Sequence, residues 1–177
     1  MRFGLSITSG AALVAAFSIG LPLFICVMTL FSLRSIPRSQ RIAVSALVAC
    51  VTLSVGALGV FFLVGELHTG VVVGERMVVE TPPFVSVSVG RDEILRAYRV
   101  ADRAQESGLA IAVRTNGTGV GSYLLGNFRL EDGRSAVLML SGPACVVIEL
   151  KDTVLMLSPD DLDGFVRALQ AWGVPVA

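Results

Sequence analysis

Two uninterrupted apolar blocks, Ala11–Phe31 and Ile42–Val64, constrain this chain most: they run 21 and 23 residues without a charge. A bilayer hydrocarbon core takes about 20 apolar residues in helix, whereas a soluble core helix of that length carries a polar face. At a rise of about 1.5 Å per residue, either block is long enough to cross with modest tilt. The blocks predict a membrane hairpin over residues 1–65, with spans at 11–33 and 42–64. A secretory signal is the rival reading of the first block, but its apolar region is about 7–15 residues and ends at a small-x-small site. Here the run ends in Ser32-Leu33-Arg34, which favours a retained span.

The 14 basic and 14 acidic side chains balance overall but not locally. Every carboxylate lies at or beyond Glu66, so the segment before it carries +4 and the remainder −4. An acidic soluble part is a poor match for nucleic acid, which calls for a basic face. The connector between the blocks holds Arg34, Arg38 and Arg41 and no acid. Short arginine-rich connectors stay cytoplasmic, so the connector is expected inside the cytoplasm and the soluble domain outside it.

Small residues line both blocks, among them Ala12, Ala16 and Gly20 in the first and Ser45, Ala49 and Gly56 in the second. Such residues allow close helix approach and suit either a hairpin or a homo-oligomer. Neither block carries an ionisable side chain, which argues against an ion or proton path. Pro22 predicts a kink in the first span.

Beyond the membrane segment the pattern turns to β. Residues 66–74 read as a juxtamembrane stalk and 75–173 as a folded domain. Glu75–Glu80, Phe84–Val89, Ser122–Leu130, Ala136–Leu140, Cys145–Leu150 and Thr153–Leu157 read as short strands separated by turn formers. Arg91–Ser107 is ambiguous: Ile94, Leu95, Tyr98 and Ala101 fall on one helical face, and a turn followed by a strand competes. A helix opens at Ser158-Pro159-Asp160-Asp161 and carries Leu162, Phe165, Val166, Leu169 and Trp172 on one stripe, with Ser158 as its cap. Gly173 and Pro175 end it.

Strands closed by one amphipathic helix follow the plan of a pleckstrin-homology-like barrel. Arg114-Thr115-Asn116-Gly117, Gly126-Asn127-Phe128-Arg129-Leu130, Asp132-Gly133-Arg134 and Leu157-Ser158-Pro159-Asp160-Asp161 resemble the bacterial membrane-associated PH-domain proteins. The resemblance implies about seven antiparallel strands, Ile94–Ala101 as the third, and one C-terminal helix. It implies an interaction or self-assembly role in or at the lipid bilayer, with a protein partner or a second copy. Phosphoinositide binding is not carried over, because it needs a basic loop and Lys151 is the one lysine here.

Chemistry-bearing motifs are sparse. Asn116–Gly121 is rich in glycine but lacks the following helix that a phosphate loop needs, and reads as a flexible loop. Arg114, Asn116, Gly117 and Arg129 are the candidate interaction residues. His68 stands alone beyond the second span, and Cys26, Cys50 and Cys145 show no metal-ligand or redox spacing. No catalytic, cofactor or metal site is expected. The leading expectation is a non-enzymatic membrane-anchored module; a subunit of an oligomeric channel or transporter is the alternative.

Overall fold

The computed structural model describes residues 1–5, 20–32 and 37–177. They fall into two compact units, one holding Met1–Ser6 with His68–Ala177 and the other Ile7–Leu67.

The helical unit contains α1 (Leu21–Ser32) and α2 (Arg38–Leu67). The 30 residues of α2 reach about 45 Å. Its segment Gln40–Phe61 has a mean hydropathy of 2.2 and only 6% of its most apolar stretch is buried. Side chains such as Leu53, Leu58 and Val60 stand exposed on it, as do Leu21, Phe24 and Met28 on α1. The thiol of Cys26 lies 3.8 Å from the hydroxyl of Thr52, a polar contact between the two helices. Of the two predicted spans, α2 alone is long and apolar enough among the described residues. Much of the first span, and Arg34, lie outside them. Pro22 lies near the start of the described part of α1; the chain it was expected to kink lies outside the described residues.

The β unit is two sheets and a helix. The first sheet has the order β1 (Arg2–Gly4), β2 (Gly70–Val73), β3 (Met77–Thr81) and β4 (Val85–Val89), antiparallel throughout. The second runs β5 (Arg96–Val100), β9 (Cys145–Glu149), β10 (Thr153–Leu157), β8 (Ser135–Leu140), β7 (Tyr123–Leu130) and β6 (Ile111–Val120). The chain skips a place after β8, and β10 returns to fill it, parallel to β8 and antiparallel to β9. The connector between β8 and β9 therefore bridges two strand spacings, about 10 Å, and is not the tight turn that Ser141-Gly142-Pro143 suggests.

Four expectations need correction here. The domain read at 75–173 holds eight strands among the described residues, β3 to β10, close to the seven expected, but β8 and β10 are parallel and the sheets do not close into a barrel. The stalk 66–74 contains β2, and residues assigned to the membrane hairpin supply β1. The glycine-rich segment Asn116–Val120 is paired strand, not loop. The helix α3 (Leu162–Ala171) is capped by Asp161, whose carboxylate accepts from the Gly164 amide at 2.8 Å. Ser158 instead extends the pairing of β10, donating its amide to the Met139 carbonyl at 2.7 Å.

The reading of Arg91–Ser107 resolves as turn then strand. Arg91–Glu93 is one 3₁₀ turn, and β5 buries Ala97 and Val100 on opposite faces. Tertiary burial on both faces outweighs helical spacing there.

Two apolar clusters flank the six-stranded sheet. Val71, Met77, Val79, Leu125, Met139, Ile148, Leu155, Phe165 and Leu169 fill the space between the sheets and α3. Phe128, Leu138, Val147, Val154 and Met156 form the opposite face, with Leu109 and Ile111 packed on it. Being lined by apolar side chains on both sides, β8, β9 and β10 read as continuous apolar runs, not alternating ones. The helix ends in a Schellman arrangement: Val174 N–H donates to Leu169 C=O, Gly173 N–H to Gln170 C=O, and Gly173 takes φ +89°.

Candidate interaction surfaces

All four residues singled out by sequence fall on the β6–β7 ribbon. Asn116 donates its side-chain amide to the Phe84 carbonyl at 3.1 Å, tying the second sheet to the end of β4. Gly117 lies opposite Gly126, and the two backbones approach so closely that a Cβ on Gly126 would run into the Asn116 carbonyl. These glycines serve a close strand approach, so the ribbon is a paired element and not a loose loop. Arg114 pairs in register with Phe128, and Arg129 with Val113. Since opposed residues share a face and Phe128 and Arg129 alternate along β7, the register sets the two arginines on opposite faces of the ribbon. Both are exposed, neither forms an ion pair among the described residues, and no carboxylate lies between Ile111 and Leu130. The structure thus keeps the basic character of the candidate but does not converge it on one point.

A different surface gathers more. A groove of about 480 Å³ opens between the 3₁₀ turn and the β9–β10 turn, lined by Asp92, Glu93, Leu95, Leu150, Lys151, Asp152 and Thr153. Leu95 is 70% exposed although its amide is fixed to the Glu149 carbonyl at 2.9 Å. Backbone geometry, not apolar packing, holds this leucine out. One wall of the groove is pinned by Arg76, which reaches Glu93 at 2.6 Å and the Ser88 hydroxyl at 2.9 Å. The Gly90 amide first, then the Arg76 guanidinium, hold the Glu93 carboxyl below its ordinary range. Asp92, Asp152 and Lys151 are exposed and form no ion pair among the described residues. Sequence reasoning missed this groove; its one signal is Leu95, an apolar residue between Glu93 and Arg96 that neither strand alternation nor the core requires.

A third cluster lies along β5 and β9. The Arg96 guanidinium sits 4.6 Å from the centre of the Tyr98 ring, and the Tyr98 hydroxyl donates to Glu149 at 3.4 Å. Glu149 also faces Arg134, which is held by Asp132 at 2.6 Å. Burial, then the Glu149 charge, push the Tyr98 phenol up. The Arg134 amide, then its guanidinium, hold the Asp132 carboxyl down. These groups satisfy one another, so they anchor the loop around Gly133.

The remaining candidates do not assemble. Cys145 is buried in the second cluster, and burial pushes its thiol up to about 11, leaving it neutral and unreactive at neutral pH. His68 is exposed, and its carbonyl accepts from Arg2 at 3.0 Å. Among the described residues no group of three His, Cys, Asp or Glu side chains is arranged to hold a metal.

Residues 83–172 match the family of the bacterial PH domain. No curated protein and no solved structure matches the chain. The match begins after β3, so β1, β2 and β3 complete the first sheet from outside the matched region. With just over half its length inside that match, this chain belongs to the bacterial PH domain family.

Proposed function

We propose that the chain is a membrane-anchored PH-like module that binds or assembles protein partners and catalyses no reaction. The observation that carries the anchor is α2: an apolar helix of span length whose most apolar stretch is 6% buried. In water such a surface would collapse or aggregate; in hydrocarbon it is at home. Strand pairing supports two crossings. The chain leaves the first sheet at Leu5 and re-enters it at Thr69, with Gly4 paired to Gly70, so any crossings between those points must be even in number. Arg38 and Arg41 at the start of α2 favour a cytoplasmic connector and a domain on the other side.

The binding role rests on the family and on what the domain exposes. The groove beside Leu95 joins an exposed apolar side chain to unpaired charges of both signs, and the β6–β7 ribbon offers Arg114 and Arg129. Two experiments test the reading. Single cysteines at Ser39 and Ser107, probed with an impermeant thiol reagent in intact cells, should label at Ser107 alone; labelling at Ser39 alone inverts the orientation, and labelling of both removes the hairpin. Photoreactive residues at Leu95 and at Arg114 in native membranes should yield protein adducts at one position at least. Adducts at neither would remove the interaction role.

A further inference from the structure

The first strand is covalently separated from the sheet it completes by the whole helical unit. Arg2, Phe3 and Gly4 face Val72, Val71 and Gly70 in antiparallel register. Met1 and Val73 exchange backbone hydrogen bonds at 2.7 and 2.8 Å. Beyond the pairing, Leu5 is buried in the core between the sheets, and the Phe3 ring meets Phe165 of α3 edge-on at 5.5 Å. The Asp160 amide, just before α3, donates to the Gly4 carbonyl at 3.1 Å. Both the closing helix and the core therefore depend on a strand that precedes the membrane segment.

We propose that β1 is a clasp: it closes onto β2 only when the intervening chain has crossed the membrane an even number of times, so completion of the PH-like domain is coupled to correct insertion of its anchor. This rests on the two-span reading above. An odd number of crossings leaves Arg2–Gly4 and Gly70–Val73 on opposite sides of a bilayer about 30 Å thick in its hydrocarbon core, and no loop flexibility can pair them. The unclasped domain then presents the β2 edge and the apolar surface that Phe3 and Leu5 cover, the kind of exposed edge that proteases and aggregation act on. The clasp would make a misinserted copy recognisable.

The pairing can be read out directly. Because Met1 and Val73 form a hydrogen-bonded pair, the next pair, Arg2 and Val72, is of the non-hydrogen-bonded kind, with Cα atoms about 4.5 Å apart, inside the range a disulfide accepts. The full chain would carry Arg2→Cys and Val72→Cys with Cys26, Cys50 and Cys145 changed to alanine, and would be synthesised into membrane vesicles. After treatment with copper phenanthroline as thiol oxidant, the carbonate-resistant fraction should show an intrachain disulfide. Deleting residues 11–31, or adding a third apolar span within the connector, makes the crossings odd; each should abolish the disulfide and expose the domain to protease. A polyleucine block of the same length in place of 11–31 restores an even number and should restore both. A disulfide that survives either odd-numbered variant in the membrane fraction, or that polyleucine fails to restore, overturns the clasp. The Ser39→Cys and Ser107→Cys labelling separates the causes. Labelling on opposite sides in the parent chain with no disulfide there counts against the clasp, while labelling on one side sinks the two-span reading and the clasp together.

Discussion

Leu53 is 73% exposed and Leu155 is not exposed at all; Phe24 is 62% exposed and Phe165 not at all. The same side chains occupy opposite environments in the two units, and the backbone explains why. In the β unit, strands lie between a second sheet, a helix and a covering segment, so apolar residues on both faces find partners. In the helical unit, much of the apolar surface of the described helices has no protein partner among the described residues. At roughly 25 cal/mol per Å² of exposed apolar surface, contact with water is costly for such a helix, which is the ground of the proposed anchor. The contrast teaches that hydropathy alone does not distinguish core from anchor. What distinguishes them is whether the fold provides a second surface.

The largest effect that would break this contrast concerns where the β unit begins. Residues 75–177 include every strand expected from sequence, yet the fragment lacks β1 and β2 and with them Leu5, Val71 and Val73 from the core. It should fail to fold, judged by circular dichroism and solubility. Joining Met1–Leu5 to Thr69–Ala177 through a two-residue Asn-Gly turn recreates the antiparallel pair without the helices, and that chain should fold in water. If the shorter fragment melts as cooperatively as the joined one, the first two strands are dispensable and the boundary between the units is drawn wrongly.

Next comes a matched pair of truncations. Phe165→Ala removes a fully buried ring that touches Phe3, and losses of about 3–5 kcal/mol are typical of such changes, a large part of a small domain's stability. Phe24→Ala removes an equally large ring from the exposed face of α1. It should leave the melting of the β unit where it was. Equal destabilisation by the two would mean that α1 packs as core.

A third test addresses the ribbon. Gly126 has φ +110°, and a Cβ there meets the Asn116 carbonyl. Gly126→Ala therefore combines a left-handed backbone with a steric collision, a loss of about 1–3 kcal/mol. Gly133→Ala also has a positive φ, +88°, but meets open space, so it should cost less. Reversal of that order in thermal melts would show that Asn116–Val120 is the loose loop its composition suggests.

These cases mark how far the sequence carries. β3, β4 and β7 to β10 were legible because turn formers bracket short apolar runs, and α3 because Phe165 and Leu169 repeat at helical spacing. The first two strands were not. Arg2-Phe3-Gly4 is too short to show a period, and Gly70-Val71-Val72-Val73 follows an apolar block from which hydropathy cannot separate it. β6 was hidden by its own chemistry, since Asn116, Gly117 and Gly119 are turn residues by propensity but are required here by the approach of Gly126 and Leu124. The insertion of β10 between β8 and β9 is a long-range choice that no local pattern encodes. As for the surfaces, the residue types of the ribbon were legible, whereas the register that parts Arg114 from Arg129 depends on irregularities at Ala112 and Thr115. The groove was illegible because its two walls come from turns more than fifty residues apart.

The smallest effect is also the most specific to the groove. Glu93 is solvent-exposed, and its carboxyl is held below the ordinary value of 4.5 by the Gly90 amide and by Arg76. A depressed folded-state pKa means that the charged form is the stabilising one. Its contribution is therefore complete above the unfolded value and is lost as the pH falls through the lowered folded value. Glu93→Gln should accordingly melt slightly below the parent at pH 7, and the gap should close as both are titrated into acid. High salt should narrow the gap at pH 7, since the Arg76 contact is a screened surface pair. A gap that persists unchanged below pH 3 would show that Glu93 acts through packing of the 3₁₀ turn and not through its charge.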